Sequence, residues 1–463
     1  MPALKSFIKK HHNDSKTFRK LRMRAHLNAD AMFAIIRNNF ARVPDHRAGN
    51  SKITLADALM SGFAMFSLKD PSLLAFDKRR CEKPENLHAV FGVGVIPCDS
   101  QMRTICDEIL PAHLRRPFRS IFHQAQRGKA LELMRWYDDH YLLALDGTGI
   151  YSSEEVGSDY CLRKTKRNGR IEYHQQMLAG AIVHPDRREV IPLCPEMIIR
   201  HDGNTKNDCE RNAAKRFFED LRREHPHLKL IVTEDALSAN APHIRELSRH
   251  DLRYILSVKP GDHAFLFEQI DQAAERCEVT DLVVPDPEHK HRSRCFRFIN
   301  NVPLNQASQE DLLVNFVEYW EVEEREAEEP KILKHFSWVT DLPVTSENVA
   351  ELVRGGRARW RIENETFNTL KNQGYNLGHN YGLGKKHLSA VFAHLTMLAF
   401  LVDQLQQLCC PVFQAALEKR RSKGSLWEEI RSFFRNFIAP SMEFILRAIG
   451  QGLKKQHYQV PLE

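Results

Sequence analysis

Apolar residues recur at helical spacing through the first third of the chain. The run Ile53–Phe66 places Leu, Ala, Met and Phe on one face, and segments 100–109 and 114–126 repeat the pattern. Residues 1–135 are therefore predicted to form a helical N-terminal region.

Near Trp136 the pattern changes to short apolar runs of strand length, separated by turn residues. It predicts three consecutive strands, a helix, a strand, a helix and a strand, at 141–146, 176–184, 189–199, 207–223, 228–235, 241–249 and 252–258. This α/β element order is that of a ribonuclease-H-like domain, with residues 136–264 as its first part.

From residue 265 to 345 the pattern indicates a β-rich insertion, with strands at 282–284, 293–299, 315–323 and 333–339. The helical pattern returns at Ser346, is expected to break at Gly355–Gly356, and then resumes. Residues 346–410 are predicted to form the second part of the ribonuclease-H-like core.

The most apolar stretch, His387–Leu408, contains His394, Thr396 and Asp403. Polar groups of this kind favour a buried helix over a membrane span. The tail, 411–463, is predicted to be a helical C-terminal region.

Composition adds modest limits. A chain of 463 residues predicts two to four domains, and 42% hydrophobic with 27% charged residues is typical of a soluble protein. The net charge of +7 is compatible with nucleic acid, so the N-terminal helices are either a solvated bundle or a DNA-docking module. Ten scattered cysteines without a C-x-x-C pair suggest a reducing, cytoplasmic location.

Two predicted strands end in aspartates, Asp146 and Asp235. In this element order the two strands can be neighbours, which would place both carboxylates at one edge of the sheet. Taken singly, each aspartate could equally be a turn residue.

A third acid, Glu363, lies on the predicted helix Arg359–Lys371. On a helical wheel it falls within about 60° of Arg359, Trp360, Phe367 and Leu370, on the inward face, whereas Glu365 lies about 200° away and is expected to face solvent or DNA. A buried carboxylate needs a cation. That cation is either Arg359, four residues earlier, or a metal ion.

Three converging carboxylates suit hard cations such as Mg²⁺, which prefer oxygen ligands. Two such ions, about 3.5–4 Å apart, can activate a water or a 3′-hydroxyl and stabilise the leaving oxygen at a phosphorus. We therefore predict that Asp146, Asp235 and Glu363 are catalytic and hold two Mg²⁺ ions, for which Mn²⁺ can substitute.

The segments Leu145–Thr148, Glu234–Leu237 and Arg359–Glu363 resemble the three motifs of DDE transposases from bacterial insertion sequences, in the subgroup marked by a Tyr-Arg-Glu-Lys signature. The resemblance extends to 206–212 and 376–387. The aspartates are 89 positions apart, and Glu363 follows Asp235 by 128. In this subgroup a β domain occupies the second gap.

The resemblance implies a metal-dependent DNA strand transferase that cuts insertion-sequence ends and joins them to target DNA, with a hairpin intermediate on the transposon end. Its implied partner is double-stranded DNA, bound by a homodimer, with no membrane. A metal-dependent DNA nuclease and a catalytically inactive DNA-binding remnant are the alternatives.

The chain matches only half of the Tyr-Arg-Glu-Lys signature. Arg359 matches and would hold a phosphate beside the scissile one. Gly356 stands where the tyrosine is expected and Leu370 where the lysine is expected, with Lys371 one position later. The predicted DNA-binding residues are Arg359, Arg361, Lys371 and Trp338. Trp338, or in second place Trp320, would stack on an extruded base, and the alternative for either is a core tryptophan.

Overall fold

The computed structural model describes residues 25–198, 206–308, 311–324, 329–379 and 381–451. Its first part is helical, as predicted. The helices are α1 (Ala29–Phe40), α2 (Leu55–Ser67), α3 (Leu73–Glu82), α4 (Glu85–Phe91), α5 (Asp99–Asp107) and α6 (Arg115–Arg127), with short 3₁₀ turns at Ala25–Leu27, Pro111–Leu114, Leu131–Met134 and Tyr137–Asp139. Side-chain oxygens of Asn28, Thr54 and Ser72 accept backbone N–H groups at the starts of the first three helices.

The central segment has mixed α/β structure. Its elements are β1 (Tyr141–Ser153), β2 (Leu162–Thr165), β3 (Ile171–Val183), β4 (Ile191–Pro192), β5 (Glu196–Ile198), α7 (Lys206–Glu224), β6 (Leu230–Glu234), α8 (Ala241–Arg249) and β7 (Arg253–Ser257). β1 pairs antiparallel with β3 and parallel with β6, which pairs parallel with β7. The single strand predicted over 189–199 is wrong, because Pro192 and Pro195 lack the N–H that a continuous strand needs.

The β-rich segment starts later than predicted. Residues 264–275 form a helix, α9 (Ala264–Glu275), before β8 (Thr280–Pro285), β9 (Arg292–Pro303), a 3₁₀ turn (Gln306–Ser308), β10 (Leu313–Glu323) and β11 (Lys331–Thr340). β11 pairs antiparallel with β7, so these strands extend the central sheet. The sheet order is β2-β3-β1-β6-β7-β11-β10-β9-β8, and β4 and β5 pair with β3.

The predicted break at Gly355–Gly356 is wrong, because α10 (Val349–Arg357) continues through both glycines. A Cβ at position 355 would collide with Trp136, and one at position 356 would lie 2.5 Å from Nε1 of Trp338. The glycines therefore allow close packing of two tryptophans on the helix. After a turn, the chain continues as a π-helical turn (Ile362–Phe367) and α11 (Asn368–Asn372).

Helix α12 (Leu388–Cys409) crosses the middle of the protein. Among the described helices it is the one long and apolar enough to cross a membrane, but 94% of its most apolar window is buried inside the protein. The prediction of a buried helix is confirmed.

The C-terminal helices are α13 (Pro411–Arg420), α14 (Lys423–Asn436) and α15 (Met442–Gln451). They join the N-terminal helices in one continuous hydrophobic core. Asn86 hydrogen bonds to the backbone of Phe434, Phe437 and Ala439, and the carboxylate of Asp30 accepts the backbone N–H groups of Met442 and Glu443. The two ends of the described chain thus stabilise each other.

Candidate active site

The two aspartates lie at the same edge of the sheet. β1 and β6 run parallel with Tyr141 opposite Leu230 and Ala144 opposite Thr233, a constant offset of 89 positions. Asp146 and Asp235 differ by the same offset, two residues beyond the last of these pairs. The predicted adjacency of the two strands is confirmed. The prediction that both strands end in an aspartate is wrong for Asp146, because antiparallel pairing with β3 continues β1 past Asp146 to Ser153. The parallel register still brings both acids to one level.

Asp146 carries the clearest electrostatic signature at this edge. Its side chain is 27% exposed, and Oδ1 accepts the backbone N–H of Gly147 at 2.8 Å. Burial raises the pKa of Asp146, the Arg359 guanidinium opposes this, and the charges of Glu363 and Asp235 add to the rise, so that the pKa is about 7. Both other predicted acids therefore lie close enough to act on Asp146.

Asp235 also acts as a turn residue, which was the alternative to a metal ligand. Its Oδ1 accepts the backbone N–H of Leu237 at 3.0 Å, which closes the turn after β6. The preceding residue, Glu234, is buried and lies 2.6 Å from Nε2 of His243 on α8. Burial lowers the pKa of His243, but the charge and hydrogen bond of Glu234 outweigh it and the pKa is raised. This buried pair fixes the end of β6 on which Asp235 stands.

Glu363 reaches the site from the π-helical turn, which packs against β1 and β3. Nη1 of Arg359 lies 2.8 Å from Glu363 Oε1 and 3.7 Å from Asp146 Oδ2, and Arg359 is only 8% exposed. The ion pair with Arg359, one of the two alternatives considered for Glu363, is therefore present. The same guanidinium also bridges to the first aspartate, a contact that the helical spacing did not predict.

The helical wheel failed around this turn. Trp360, predicted to face inward, is 47% exposed. The Glu365 side chain is 23% exposed against 35% for Glu363, and it pairs with Arg361 at 3.2 Å, so Glu365 is not the more solvated acid. A π-helical turn has more residues per turn than an α-helix, which shifts the angular positions that the wheel assigns.

A further acid lies beside the site. A Cβ at position 147 would lie 2.5 Å from Oε1 of Glu210, so the α7 carboxylate occupies the space over Gly147. The sequence analysis did not single out Glu210 for this site. Two features of the sequence could have indicated this contact: the glycine directly after Asp146, and the acid within 206–212, a segment that shares the resemblance to DDE transposases.

The predicted DNA-binding residues differ in how far they are exposed to solvent. Lys371 is exposed, whereas Arg361 is half-buried and donates to the carbonyl of Pro185 at 3.0 Å. Trp338 is only 3% exposed and packs on α10, so a stacking role on DNA does not fit this structure and the core interpretation is right. Trp320 is half-buried, with its ring 5.3 Å from that of His335 in a stacked arrangement.

The three acids have the oxygen donors that a metal ion needs, but their side chains are not arranged as a metal site in this structure. Within the described ranges, no group of three or more His, Cys, Asp or Glu side chains is placed to hold a metal ion as it stands. The guanidinium of Arg359 lies between two of the acids, where a cation would bind. Asp146, Asp235 and Glu363 offer only oxygen donors, and one guanidinium leaves them with surplus negative charge, so the donor set fits a hard divalent cation.

Comparison with known proteins gives no independent identification: no family model matches the chain, and no curated protein matches it significantly.

Proposed function

We propose that this chain is a DDE transposase, which cuts insertion-sequence ends and joins them to target DNA by metal-dependent phosphoryl transfer. The observation that carries the proposal is the parallel register of β1 and β6, which brings Asp146 and Asp235 to one level beside Glu363. Asp146 within β1, Asp235 directly after β6 and Glu363 on the π-helical turn supply three carboxylates, and such oxygen donors suit the metal ions of two-metal phosphoryl transfer.

The topology supports a ribonuclease-H-like core for this enzyme. A long antiparallel pair, β1 and β3, is followed by β6 and β7, each parallel to its neighbour and each preceded by a helix. In this proposal β8–β11 are an insertion between the second and third acids that adds to the core sheet.

The three acids would hold the Mg²⁺ ions. When bound, these ions would activate a water or 3′-hydroxyl and stabilise the leaving oxygen. In their absence, burial and neighbouring carboxylates keep a proton on the Asp146 carboxyl at pH values below about 7. Arg359 neutralises part of the acidic charge in that state, and a DNA phosphate offers its guanidinium an alternative bidentate partner. Exposed Lys371, on α11, can add a further phosphate contact.

A strand-transfer assay tests the proposal. A labelled duplex carrying the inverted repeat that flanks the reading frame is incubated with a supercoiled plasmid, Mg²⁺ and the protein. The wild type should nick the duplex at the repeat and join it to the plasmid, and Asp146→Asn and Asp235→Asn should do neither. Asp281→Asn removes an acid of the same sheet that pairs with Arg297, and it should retain activity.

The assay also separates the alternatives. Cleavage without joining would identify a nuclease on this fold, and DNA binding without cleavage would identify an inactive remnant. Full activity of Asp146→Asn would refute the assignment of the acids.

A further inference from the structure

A cavity of about 510 Å³ lies between α3, α14 and the turn that follows α11. Five cationic side chains line it, namely Lys69, Lys78, Arg79, Arg431 and Arg435. The described lining contains two acidic residues, Asp70 and Glu82. The wall of this cavity therefore carries a surplus of positive charge.

Only two of these cations are neutralised by ion pairs. Lys69 is buried against Asp403, and Arg79 binds Asp70 at 2.6 Å. Among the described residues, the remaining cations of the lining, Lys78, Arg431 and Arg435, have no ion-pair partner. Elsewhere on the same C-terminal helices arginines are paired, as in the contact of Arg420 with Glu429 at 2.7 Å.

Two arginines of this cavity, Arg79 and Arg431, lie in an electrostatically unfavourable environment. Arg79 is 7% exposed, and its Nη1 is buried without a hydrogen-bond partner in the described structure. Burial lowers the pKa of Arg431; the charges of Asp70 and Glu428 oppose this, while those of Arg79 and Arg435 lower it further. Its guanidinium makes one weak hydrogen bond, 3.3 Å, to the carbonyl of Leu68. An unpaired buried donor and mutually repelling cations are both relieved by an anion.

We propose that this cavity binds a phosphate group. Guanidinium groups bind phosphate oxygens in a bidentate manner, and Arg431 and Arg435 can supply such donors to a tetrahedral anion. Arg79 can add only its Nη1, because its Nε and Nη2 donate to Asp70. A cavity of 510 Å³ exceeds the needs of a free inorganic ion and leaves room for the ester groups attached to it. The ligand class is therefore a phosphate ester, either a phosphate of the DNA backbone or a small phosphorylated molecule.

The cavity stands apart from the acids of the candidate active site. It meets the catalytic segment only at Gly374 and Asn376, in the turn after α11. The proposal therefore does not depend on the chemistry proposed for Asp146, Asp235 and Glu363, and Asp146→Asn should leave phosphate binding intact.

The test uses the full chain and two exposed residues of the cavity. Thermal unfolding of the wild type, Lys78→Ala/Arg435→Ala and the control Lys229→Ala/Lys290→Ala is measured in inorganic phosphate and in chloride and acetate at equal ionic strength. Both double variants remove two exposed positive charges. Phosphate should stabilise the wild type and the control beyond chloride and acetate. Its affinity, measured by calorimetry, should fall at least tenfold in the cavity variant.

A DNA arm identifies the source of the phosphate. The affinity of each protein for a short duplex is measured against salt concentration. If the cavity takes a backbone phosphate, the slope of log K against log[salt] should decrease by about one in the cavity variant relative to the control. An unchanged slope, with phosphate binding lost, would assign the cavity to a small phosphorylated molecule. If phosphate stabilises the wild type no more than chloride does, or stabilises the cavity variant equally, the proposal is overturned.

Discussion

The two halves of the sheet treat their charges in opposite ways. In the antiparallel half, β8–β11, acids lie against cations, as Asp281 does against Arg297 at 2.9 Å and Glu323 against Arg292 at 3.0 Å. In the parallel half, formed by β1, β6 and β7, Asp146 and Glu363 share the guanidinium of Arg359, and the charge of Asp235 also acts on Asp146.

Burial differs in the same direction. Every residue of β6 is buried, whereas β8, at the far edge of the sheet, has almost all of its residues exposed. Exposed ion pairs contribute little to stability and cost little to keep. Surplus like charge on buried strands is expensive, so it indicates a function where it persists. The contrast between these halves is thus a guide to the active site, and four changes test it.

The largest effect is expected for the third acid. Glu363→Gln should reduce DNA cleavage and joining on the order of 10³-fold or more, because it removes one of three groups that act as a unit. Glu323→Gln changes a paired acid of the antiparallel half and should leave the rate nearly unchanged. Both rates come from the strand-transfer assay. Equal losses in the two variants would remove the functional distinction between the halves.

Gly147→Ala should lower activity by about ten- to a hundredfold, because a displacement of about 1 Å near reacting groups can cost that much. The new Cβ would lie 2.5 Å from Glu210 and would push that carboxylate away from its place over Gly147. Gly149→Ala is the matched control on the same face of β1, where a Cβ meets nothing within 4 Å. If both variants kept wild-type rates, Glu210 would have no role at this edge.

Gly356→Ala tests the helix that packs against both halves. Its Cβ would clash with the ring of Trp338, and this overpacking should cost about 1–3 kcal/mol of unfolding free energy. Gly424→Ala, on α14, adds a Cβ in open space and should be neutral or slightly stabilising. Denaturant unfolding measures both. Wild-type stability of Gly356→Ala would mean that Trp338 can move aside freely.

The smallest effect expected is a pH-dependent shift in melting temperature. The folded-state pKa of Asp146, about 7, lies above its ordinary value, so the folded state binds more protons and stability falls as pH rises towards 7. In metal-free buffer, Asp146→Asn should therefore gain a few degrees over the wild type at pH 8, with the gain shrinking towards pH 5. Mg²⁺ should stabilise the wild type alone. A difference that is constant with pH would contradict the raised pKa.

Much of this organisation could be predicted from the sequence. The apolar runs before Asp146 and Asp235 correctly predict two neighbouring strands, although β1 continues past Asp146 to Ser153, and α8 begins and ends at the predicted residues. These features depend on local patterns, which a single sequence carries.

The errors arose where contacts distant in sequence decide the structure. Gly355 and Gly356 suggest a helix break locally, yet two tryptophans from other elements require glycine inside the helix. Trp338 resembles an available stacking ring until its burial is known. The π-helical turn and the bridge from Arg359 to Asp146 likewise depend on packing against β1, which helical periodicity does not contain.

The position of Arg359 also has a consequence for biosynthesis. Synthesis proceeds from the N-terminus, so a nascent chain carries both aspartate strands long before Glu363 is made. Arg359 is added four residues before Glu363, in the same stretch of chain. The nascent chain therefore never contains all three acids without also containing Arg359.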